Sequence, residues 1–383
     1  MTSGSASTPI LITHSADLLA LVETLCREPI LAVDTESNSL FAYRERVCLI
    51  QISTTQEDYL IDPIALQDLS PLAPLFCHPT VEKVFHAAEY DVLCLKRDFG
   101  FGFINLFDTM AAARILGWKE VGLGALLETE FGVRQDKRHQ RANWGQRPLP
   151  PDLLEYACMD THYLIPLRHR LYEHLVQRDL LQLANEDFSR LSAINPNGNQ
   201  ALENRSVNPW RISGAHDLKP RQAAVLLELC RYRDQIARSL DRPLFKVIND
   251  RTLLAIAAKT PQNLEDLRQL PSMSALLINR HGNHLIRAVQ CGLKARPLYP
   301  PRPTHLDDGL NYRLEALRSW RKRTAQKMGV SSEVVLPRDL VFTLAERNPH
   351  NLEELADAMS EVPWRKEHFG EQIMEVLIHA ARR

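Results

Sequence analysis

The second half of the chain repeats itself at a constant spacing of 88 residues, without gaps. Leu226 is matched by Leu314, and the segment Pro261–Leu267 (PQNLEDL) is matched by Pro349–Leu355 (PHNLEEL). Both segments open a helix with acidic residues early, where the helix dipole favours negative charge. Helical periodicity dominates here and no strand pattern is present. This half of the chain is therefore restricted to two small helical modules of the same fold.

The first half has a different pattern, in which short apolar runs of strand length alternate with helical segments. Pro29–Val33 and Val81–Phe85 are predicted to be buried strands. The polar stretch Asn195–Gln200 is typical of a linker, and the proline-rich stretch Arg296–Pro303 is a stiff spacer between the two repeats. We therefore predict an α/β domain followed by two all-α domains, at residues 8–195, 206–294 and 304–383.

Two acidic residues, Asp34 and Glu36, end the first apolar run. Because side chains alternate across a strand, both carboxylates point to the same face. Their charges repel, and a divalent cation relieves that repulsion, with carboxylate oxygens suiting Mg²⁺ or Mn²⁺. Taken alone, the pair is equally compatible with an ordinary surface position.

Further acids occur where two helices are predicted. Asp91 lies near the start of the helix that follows the second apolar strand. Tyr156 and Asp160 are four residues apart and share one face of a helix that begins near Pro151. Because apolar residues cover the neighbouring face of this helix, an acid at position 160 is unexpected for a purely structural element.

These five residues resemble the motif set of the DEDD superfamily of 3′–5′ exonucleases, in its tyrosine-bearing branch. Asp34 and Glu36 match the first motif, Asp91 matches the second, and Tyr156 with Asp160 matches the third. No residue of the motif set is missing, so the signal is specific.

The short sequences that flank these motifs resemble those of the ribonuclease D family in particular. They are Leu49–Ser53 (LIQIS) after the first motif and Asn143–Leu149 (NWGQRPL) before the third. The two helical modules resemble HRDC domains, and the first copy does so more closely, since it carries the motif Arg280–Gly282 (RHG). The second copy has His368–Gly370 (HFG) at that position, and its expected role is either nucleic-acid binding or packing on the catalytic domain.

The resemblance implies a ribonuclease H-like mixed sheet flanked by helices, and a hydrolase that uses two divalent ions, Mg²⁺ or Mn²⁺. Asp34, Glu36 and Asp160 would hold the first ion, Asp34 would bridge to the second, and Asp91 would act through water. Tyr156 would orient the attacking water, since a phenol is a poor base near neutral pH. The implied substrate is RNA with a single-stranded 3′ end, tRNA precursors among them, and the implied products are nucleoside 5′-monophosphates.

Two alternative functions stay open at this point. No residue can be identified that senses the 2′-hydroxyl group, which distinguishes RNA from DNA, so a DNA-directed exonuclease of the same superfamily fits the motifs as well. A non-catalytic nucleic-acid-binding scaffold is the second alternative. The intact set of acids argues against it, because clustered carboxylates repel phosphate.

A basic segment precedes the third motif. Residues 134–147 contain five basic residues and one acid, Asp136. A basic loop with an aromatic residue suits the phosphates and a stacking base of a single strand, so Lys137, Arg141 and Trp144 are predicted to bind nucleic acid. A second basic segment, residues 313–327, is equally compatible with a solvated helix face.

The amino-acid composition indicates which general class of protein this is. A hydrophobic content of 45%, a charged content of 24% and a net charge of −1 are typical of an ordinary globular protein. No apolar run approaches the ~18 residues of a membrane span, and residues 1–7 lack the regions of a signal peptide. The seven cysteines are scattered, without a C-x-x-C pair. Reduced thiols, a cytoplasmic location and no obligatory protein partner are therefore expected.

Overall fold

The computed structural model describes residues 8–136, 138–195, 207–301 and 307–381. They form two compact units that interrupt each other along the chain. Of the described residues, the first unit contains 8–36, 47–136, 138–195 and 307–381, and the second contains 37–46 and 207–301. The second helical repeat therefore belongs to the same unit as the α/β region.

A mixed six-stranded sheet lies at the centre of the first unit. Its strands are, in chain order, β1 (Ile10–Ile12), β2 (Ile30–Ser37), β3 (Val47–Ser53), β4 (Asp58–Ile61), β5 (Glu82–Phe85) and β6 (Leu106–Asp108). Their order in the sheet is β1-β4-β3-β2-β5-β6. Strand β4 is parallel to β1 and antiparallel to β3, and β5 is parallel to both β2 and β6.

Helices flank this sheet. They are α1 (Ser15–Leu25), α2 (Ala73–Phe76), α3 (Glu89–Phe99), α4 (Thr109–Ile115), α5 (Leu123–Phe131), α6 (Pro151–His162), α7 (Leu164–Gln177) and α8 (Leu181–Ala193). The apolar residues of β2 are buried, as in a strand covered on both faces. The prediction of a mixed sheet flanked by helices and followed by helical modules is confirmed.

The two repeats have the same helices at the predicted spacing. The first copy contains α9 (Pro220–Ser239), α10 (Leu244–Val247), α11 (Asp250–Lys259), α12 (Leu264–Arg268) and α13 (Ala275–Lys294). The second contains α14 (Asp308–Met328), α15 (Ser332–Val335), α16 (Arg338–Arg347), α17 (Leu352–Ala358) and α18 (Pro363–Ala381). Each helix of the second copy begins 88 residues after its counterpart, so residues of the two copies can be compared one by one.

The second repeat is anchored to the α/β region by a buried arginine. Arg365 is fully buried, and its guanidinium lies 2.9 Å from Glu186 Oε2 and 2.8 Å from Asp187 Oδ1. It also donates to the backbone carbonyl of Val334 at 2.9 Å. Both acids belong to α8, and the backbone N–H of Trp364 donates to Glu186 as well. Of the two roles expected for the second repeat, the structure supports packing.

The segment that follows Glu36 folds with the first repeat, in the second unit. The hydroxyl of Tyr43 donates to Asp234 Oδ1 at 2.6 Å and accepts from Arg238 Nε at 2.8 Å. The backbone N–H of Tyr43 donates to Asp241 Oδ1 at 3.0 Å. Residues 37–46 are thus held by side chains that lie far away in the sequence.

No helix among the described residues is both long enough and apolar enough to cross a membrane.

Candidate active site

Strand β2 and helix α6 bring three carboxylates together. Asp34 and Glu36 are on the same face of β2, as the alternation predicts, and Asp160 comes from the last turn of α6. Each offers one oxygen, and the three oxygens lie within 4.8 Å of one another. Asp160 is 9% exposed, and the two β2 acids are half-buried.

Asp91 lies beside this group but is not part of it. It is in the first turn of α3 and is 6% exposed, and its Oδ1 accepts a hydrogen bond of 2.5 Å from the hydroxyl of Thr35. Because Thr35 stands between the two β2 acids in sequence, this bond connects α3 directly to the strand. That Asp91 acts on a metal through water stays a prediction.

A buried carboxylate fixes the turn that leads to Asp91. Asp108 accepts from the backbone N–H groups of Ala87 at 3.2 Å and Ala88 at 2.7 Å. It also accepts from Met110 and Ala111 at 2.8 and 2.9 Å, and so caps α4. Ala87 has a φ of 62°, which is unfavourable for a residue with a Cβ, and the two bonds to Asp108 stabilise that conformation.

The acids of the group are hard to ionise together. Burial, and then the charge of Asp160, raise the pKa of Asp34 well above its usual range. Burial, followed by the charges of Asp34, Asp160 and Asp91, raises the pKa of Glu36 to about 10. Burial raises the pKa of Asp160 to about 7, although a hydrogen bond from Gln135 acts in the opposite direction. For Asp91, burial and the charge of Asp34 again raise the pKa.

This donor set fits a divalent cation. All of its ligand atoms are carboxylate oxygens, which Mg²⁺ and Mn²⁺ prefer over the nitrogen and sulfur ligands of zinc. Among the described residues, no basic side chain contributes to the pKa shifts of Asp34, Glu36, Asp91 or Asp160. The negative charge of the group is therefore left for a cation to neutralise.

The raised pKa values predict how the metal-free protein responds to pH. Between the ordinary carboxyl range near ~4 and the raised values of about 7 for Asp160 and about 10 for Glu36, the folded state binds more protons than the unfolded state. The free energy of unfolding therefore falls as the pH rises through this window. In EDTA, we expect the Tm to fall between mildly acidic and mildly alkaline pH, measured by differential scanning fluorimetry.

Two controls accompany this measurement. Mg²⁺ binds the deprotonated acids, so adding it should raise the Tm most at the alkaline end. Glu36→Gln removes one of the titrating groups and should make the fall shallower. A Tm in EDTA that stays constant or rises over this range would contradict the assignment.

Tyr156 has its phenol close to the acids. Its side chain is 7% exposed, and its ring packs against the rings of His139 and Trp144, with centroids 5.6 and 6.1 Å away. Burial and the charges of Asp160, Glu36 and Asp34 raise the pKa of the phenol. The hydroxyl therefore stays protonated at neutral pH and can act as a hydrogen-bond donor, but not as a base.

The three residues predicted to bind nucleic acid differ in their positions. Lys137 lies outside the described residues. Arg141 is exposed, as a phosphate contact requires. Trp144 is 1% exposed and packs with Leu153 and Tyr156 in an apolar cluster, so a base cannot stack on its ring. The expectation for Trp144 is corrected accordingly: it supports Tyr156 from within the core.

Three residues of this site were not identified from the sequence. The amide of Gln135 donates to Asp160, Thr35 donates to Asp91, and Asp108 shapes the turn before α3. Gln135 stands within the basic segment, where polar residues are common. Thr35 lies inside the first motif, and its place between two acids is the one signal that could have identified it.

Comparison with known proteins places this fold and site in a class. A family model described as a 3′–5′ exonuclease domain matches residues 9–176, and the HRDC domain model matches residues 222–289 and 311–377. The acidic group, the mixed sheet and the two helical repeats together define a 3′–5′ exonuclease with HRDC domains.

Relatives that align over nearly the whole of this chain identify its family more narrowly. Ribonuclease D of Nitrobacter hamburgensis is 30% identical over 369 residues, which cover 94% of this chain and 93% of the relative. The crystal structure of Escherichia coli RNase D, described as an exoribonuclease involved in structured RNA processing, is 26% identical with a TM-score of 0.67, and covers 97% of this chain and 99% of that chain. The chain belongs to the ribonuclease D family of 3′–5′ exoribonucleases.

A second group of relatives shares only part of its length with this chain. The exosome complex exonuclease RRP6 of Saccharomyces cerevisiae is 32% identical over 270 residues, which are 67% of this chain and 37% of the relative. Protein RRP6-like 3 of Arabidopsis thaliana is 34% identical over 31% of its own length. This chain thus spans about a third of these longer proteins, and nearly the whole of the ribonuclease D relatives.

Proposed function

We propose that Asp34, Glu36, Asp91 and Asp160 hold two divalent ions, Mg²⁺ or Mn²⁺, and that this centre removes nucleotides from the 3′ end of RNA. The observation that carries the proposal is the group of three carboxylate oxygens within 4.8 Å of one another, in a chain of the ribonuclease D family. Asp34 would contact both ions, and Asp91 would act through water because its carboxylate stands beside the group.

The side chains of the site have separate tasks in hydrolysis. Divalent ions held by Asp34, Glu36, Asp91 and Asp160 would activate a water and stabilise the charge on the leaving oxygen. Tyr156, protonated and beside the acids, would donate a hydrogen bond that orients the attacking water. Gln135 holds the carboxylate of Asp160, and Thr35 holds that of Asp91, so both acids are oriented before substrate arrives.

The substrate, the products and the cellular location are proposed in addition to membership of the family. We propose RNA with a single-stranded 3′ end as substrate, tRNA precursors among the natural ones, and nucleoside 5′-monophosphates as products. We also propose a cytoplasmic location. It is supported by the seven cysteines, all of which lie in the described ranges and none of which is joined in a disulfide.

Arg141 is proposed as a phosphate contact on the RNA path. Arg141→Ala is expected to weaken binding of single-stranded RNA and to reduce the slope of log K against log salt concentration by about 0.7, the value for one phosphate neutralised on a single strand. Fluorescence anisotropy over a series of KCl concentrations measures both effects. An unchanged slope would exclude this side chain from the RNA path.

A cleavage assay tests the function itself. A 5′-labelled single-stranded RNA is incubated with the protein in Mg²⁺, in Mn²⁺ or in EDTA, and matched DNA is treated in parallel. A ladder that shortens from the 3′ end of RNA, and that requires metal, is the expected result. Preferred degradation of DNA would indicate the DNA-directed alternative. Binding without cleavage in either metal would indicate the non-catalytic scaffold.

A further inference from the structure

The last turn of α6, which carries Asp160, is attached to the sheet by two hydrogen bonds. The hydroxyl of Thr161 accepts from Ser53 Oγ at 2.6 Å, and both side chains are buried. The Nδ1 atom of His162 lies 2.9 Å from Oδ2 of Asp58, whose side chain is 4% exposed. Because an ionised carboxylate can only accept, the imidazole is the donor in this bond. The two residues that directly follow Asp160 are therefore both fixed from the sheet.

Ser53 and Asp58 form a single cross-strand pair. They stand directly opposite each other in the antiparallel ladder of β3 and β4, so their side chains project from the same face of the sheet. The turn between the two strands is fixed as well. The backbone N–H of Thr54 donates to the carbonyl of Glu57 at 2.9 Å, and the hydroxyl of Thr54 accepts from the backbone N–H of Gln56 at 3.1 Å. The pair is thus a two-point support for the end of α6, here called the helix seat and defined by Ser53 and Asp58.

Asp160 depends on this support because it lies at the end of its helix. The last four carbonyl groups of an α-helix lack partners within the helix, and terminal turns fray. Asp160 stands two residues before His162, the final residue of α6, whereas the other two clustered acids stand on β2 within the sheet. Like charges in the group repel one another, which favours displacement of the least fixed of the three. Gln135 orients the carboxylate of Asp160, and the helix seat fixes the backbone that carries it.

We propose that Ser53 and Asp58 are positioning residues of the metal centre. By holding the last turn of α6, they keep the carboxylate of Asp160 in place beside the two acids of β2. Loss of groups that orient ligating side chains typically weakens metal binding or activity by about 10–100-fold. The inference rests on the proposed function, because it concerns how the same group of acids is kept assembled for a divalent ion.

The test removes one member of the helix seat and compares it with a matched carboxylate. Asp58→Ala removes the acceptor of His162, whereas Asp58→Asn keeps an acceptor oxygen and is the conservative rescue. The matched control is Glu82→Ala. Glu82 begins β5 and pairs with Arg168 of α7 at 2.6 Å, so it also anchors a helix to a strand. Its register partner is Ile30, at the end of β2 that is opposite to the acids.

Binding of Mn²⁺ to the full-length protein is measured by electron paramagnetic resonance, and the Tm of each variant is measured in EDTA. Asp58→Ala is expected to lower the affinity for Mn²⁺ by about 10–100-fold, and Asp58→Asn should stay near the wild-type value. Glu82→Ala should bind Mn²⁺ as the wild type does, even where its Tm falls as far as that of Asp58→Ala. Wild-type affinity in Asp58→Ala, or an equal loss in Glu82→Ala, would overturn the proposal.

Two further measurements keep the test decisive if Asp58→Ala folds poorly or if no metal binds. Ser53→Ala deletes a single oxygen of the helix seat and should also weaken Mn²⁺ binding. In EDTA, the amides of residues 160–163 should exchange with solvent faster in Ser53→Ala and Asp58→Ala than in Glu82→Ala, and equal rates would overturn the proposal. A wild-type protein that binds no Mn²⁺ would refute the proposed function instead, while the exchange rates still decide whether the helix seat holds this turn.

Discussion

Asp34→Asn is expected to lower the rate of RNA hydrolysis by about a thousand-fold or more, while the protein remains folded. Metal ions contribute several kcal/mol of transition-state stabilisation, and each ~1.4 kcal/mol corresponds to a factor of ten in rate. Asp34 is the acid proposed to contact both ions, and an amide oxygen is a neutral, weaker ligand. The measurement is the rate of 3′ shortening of a 5′-labelled RNA in Mg²⁺.

The same substitution should have the opposite effect on stability. In EDTA, the variant loses a half-buried negative charge that repels Asp160, so its Tm at alkaline pH should be higher than that of the wild type. The control is Asp179→Asn, an exposed position with a φ of 56° that asparagine accepts readily. A ladder that persists undiminished in Asp34→Asn would mean that the acids are misassigned.

Arg365→Leu is expected to lower the free energy of unfolding by about 3–5 kcal/mol, because it leaves buried charge without a partner. Glu186 is 7% exposed, and burial already raises its pKa and that of Asp187 while Arg365 opposes the rise. The carbonyl of Val334 also loses its donors. Urea denaturation followed by tryptophan fluorescence measures the change.

An exposed ion pair of the same repeat supplies the control. Arg347 pairs with Asp357 at 2.9 Å, and their side chains are 55% and 81% exposed. Arg347→Leu should therefore cost less than about 1 kcal/mol. Adding Glu186→Gln and Asp187→Asn to Arg365→Leu should recover part of the loss, since the unpaired charges are then removed. Equal effects of Arg365→Leu and Arg347→Leu would contradict a buried anchor.

The parts of the site that could be predicted from sequence depend on local periodicity. The alternation in β2 placed Asp34 and Glu36 on one face, and the four-residue spacing in α6 did the same for Tyr156 and Asp160. Gln135, Thr35 and Asp108 could not be found in this way, because their roles depend on contacts between elements. Trp144 was misjudged for the same reason, since a basic surrounding in sequence does not reveal burial in three dimensions.

The domain boundaries, too, could be predicted where they depend on local periodicity and not where they depend on contacts between distant segments. The helical repeats were recognisable because helices begin at matched positions 88 residues apart. Sequence periodicity, however, can delimit only continuous segments of the chain. It does not indicate that residues 37–46 fold with the first repeat, nor that the second repeat belongs to the same unit as the α/β region. The hydrogen bonds responsible join residues 179 and 191 positions apart, as in Arg365 with Glu186 and Tyr43 with Asp234. The division into three successive domains at residues 8–195, 206–294 and 304–383 remains a prediction.

Because each unit is built from segments that are far apart in the sequence, folding during synthesis must wait until the later segment has left the ribosome. Synthesis proceeds at about 5–20 residues per second, so Tyr43 emerges roughly 10–40 s before its partner Asp234, 191 positions later. Glu186 is likewise synthesised a similar interval before its partner Arg365. Nascent chains arrested before residue 234 should therefore be cut by protease within residues 37–46, and chains that include the first repeat should be protected there. Codon changes that slow translation between these points would lengthen the vulnerable period without altering a single amino acid.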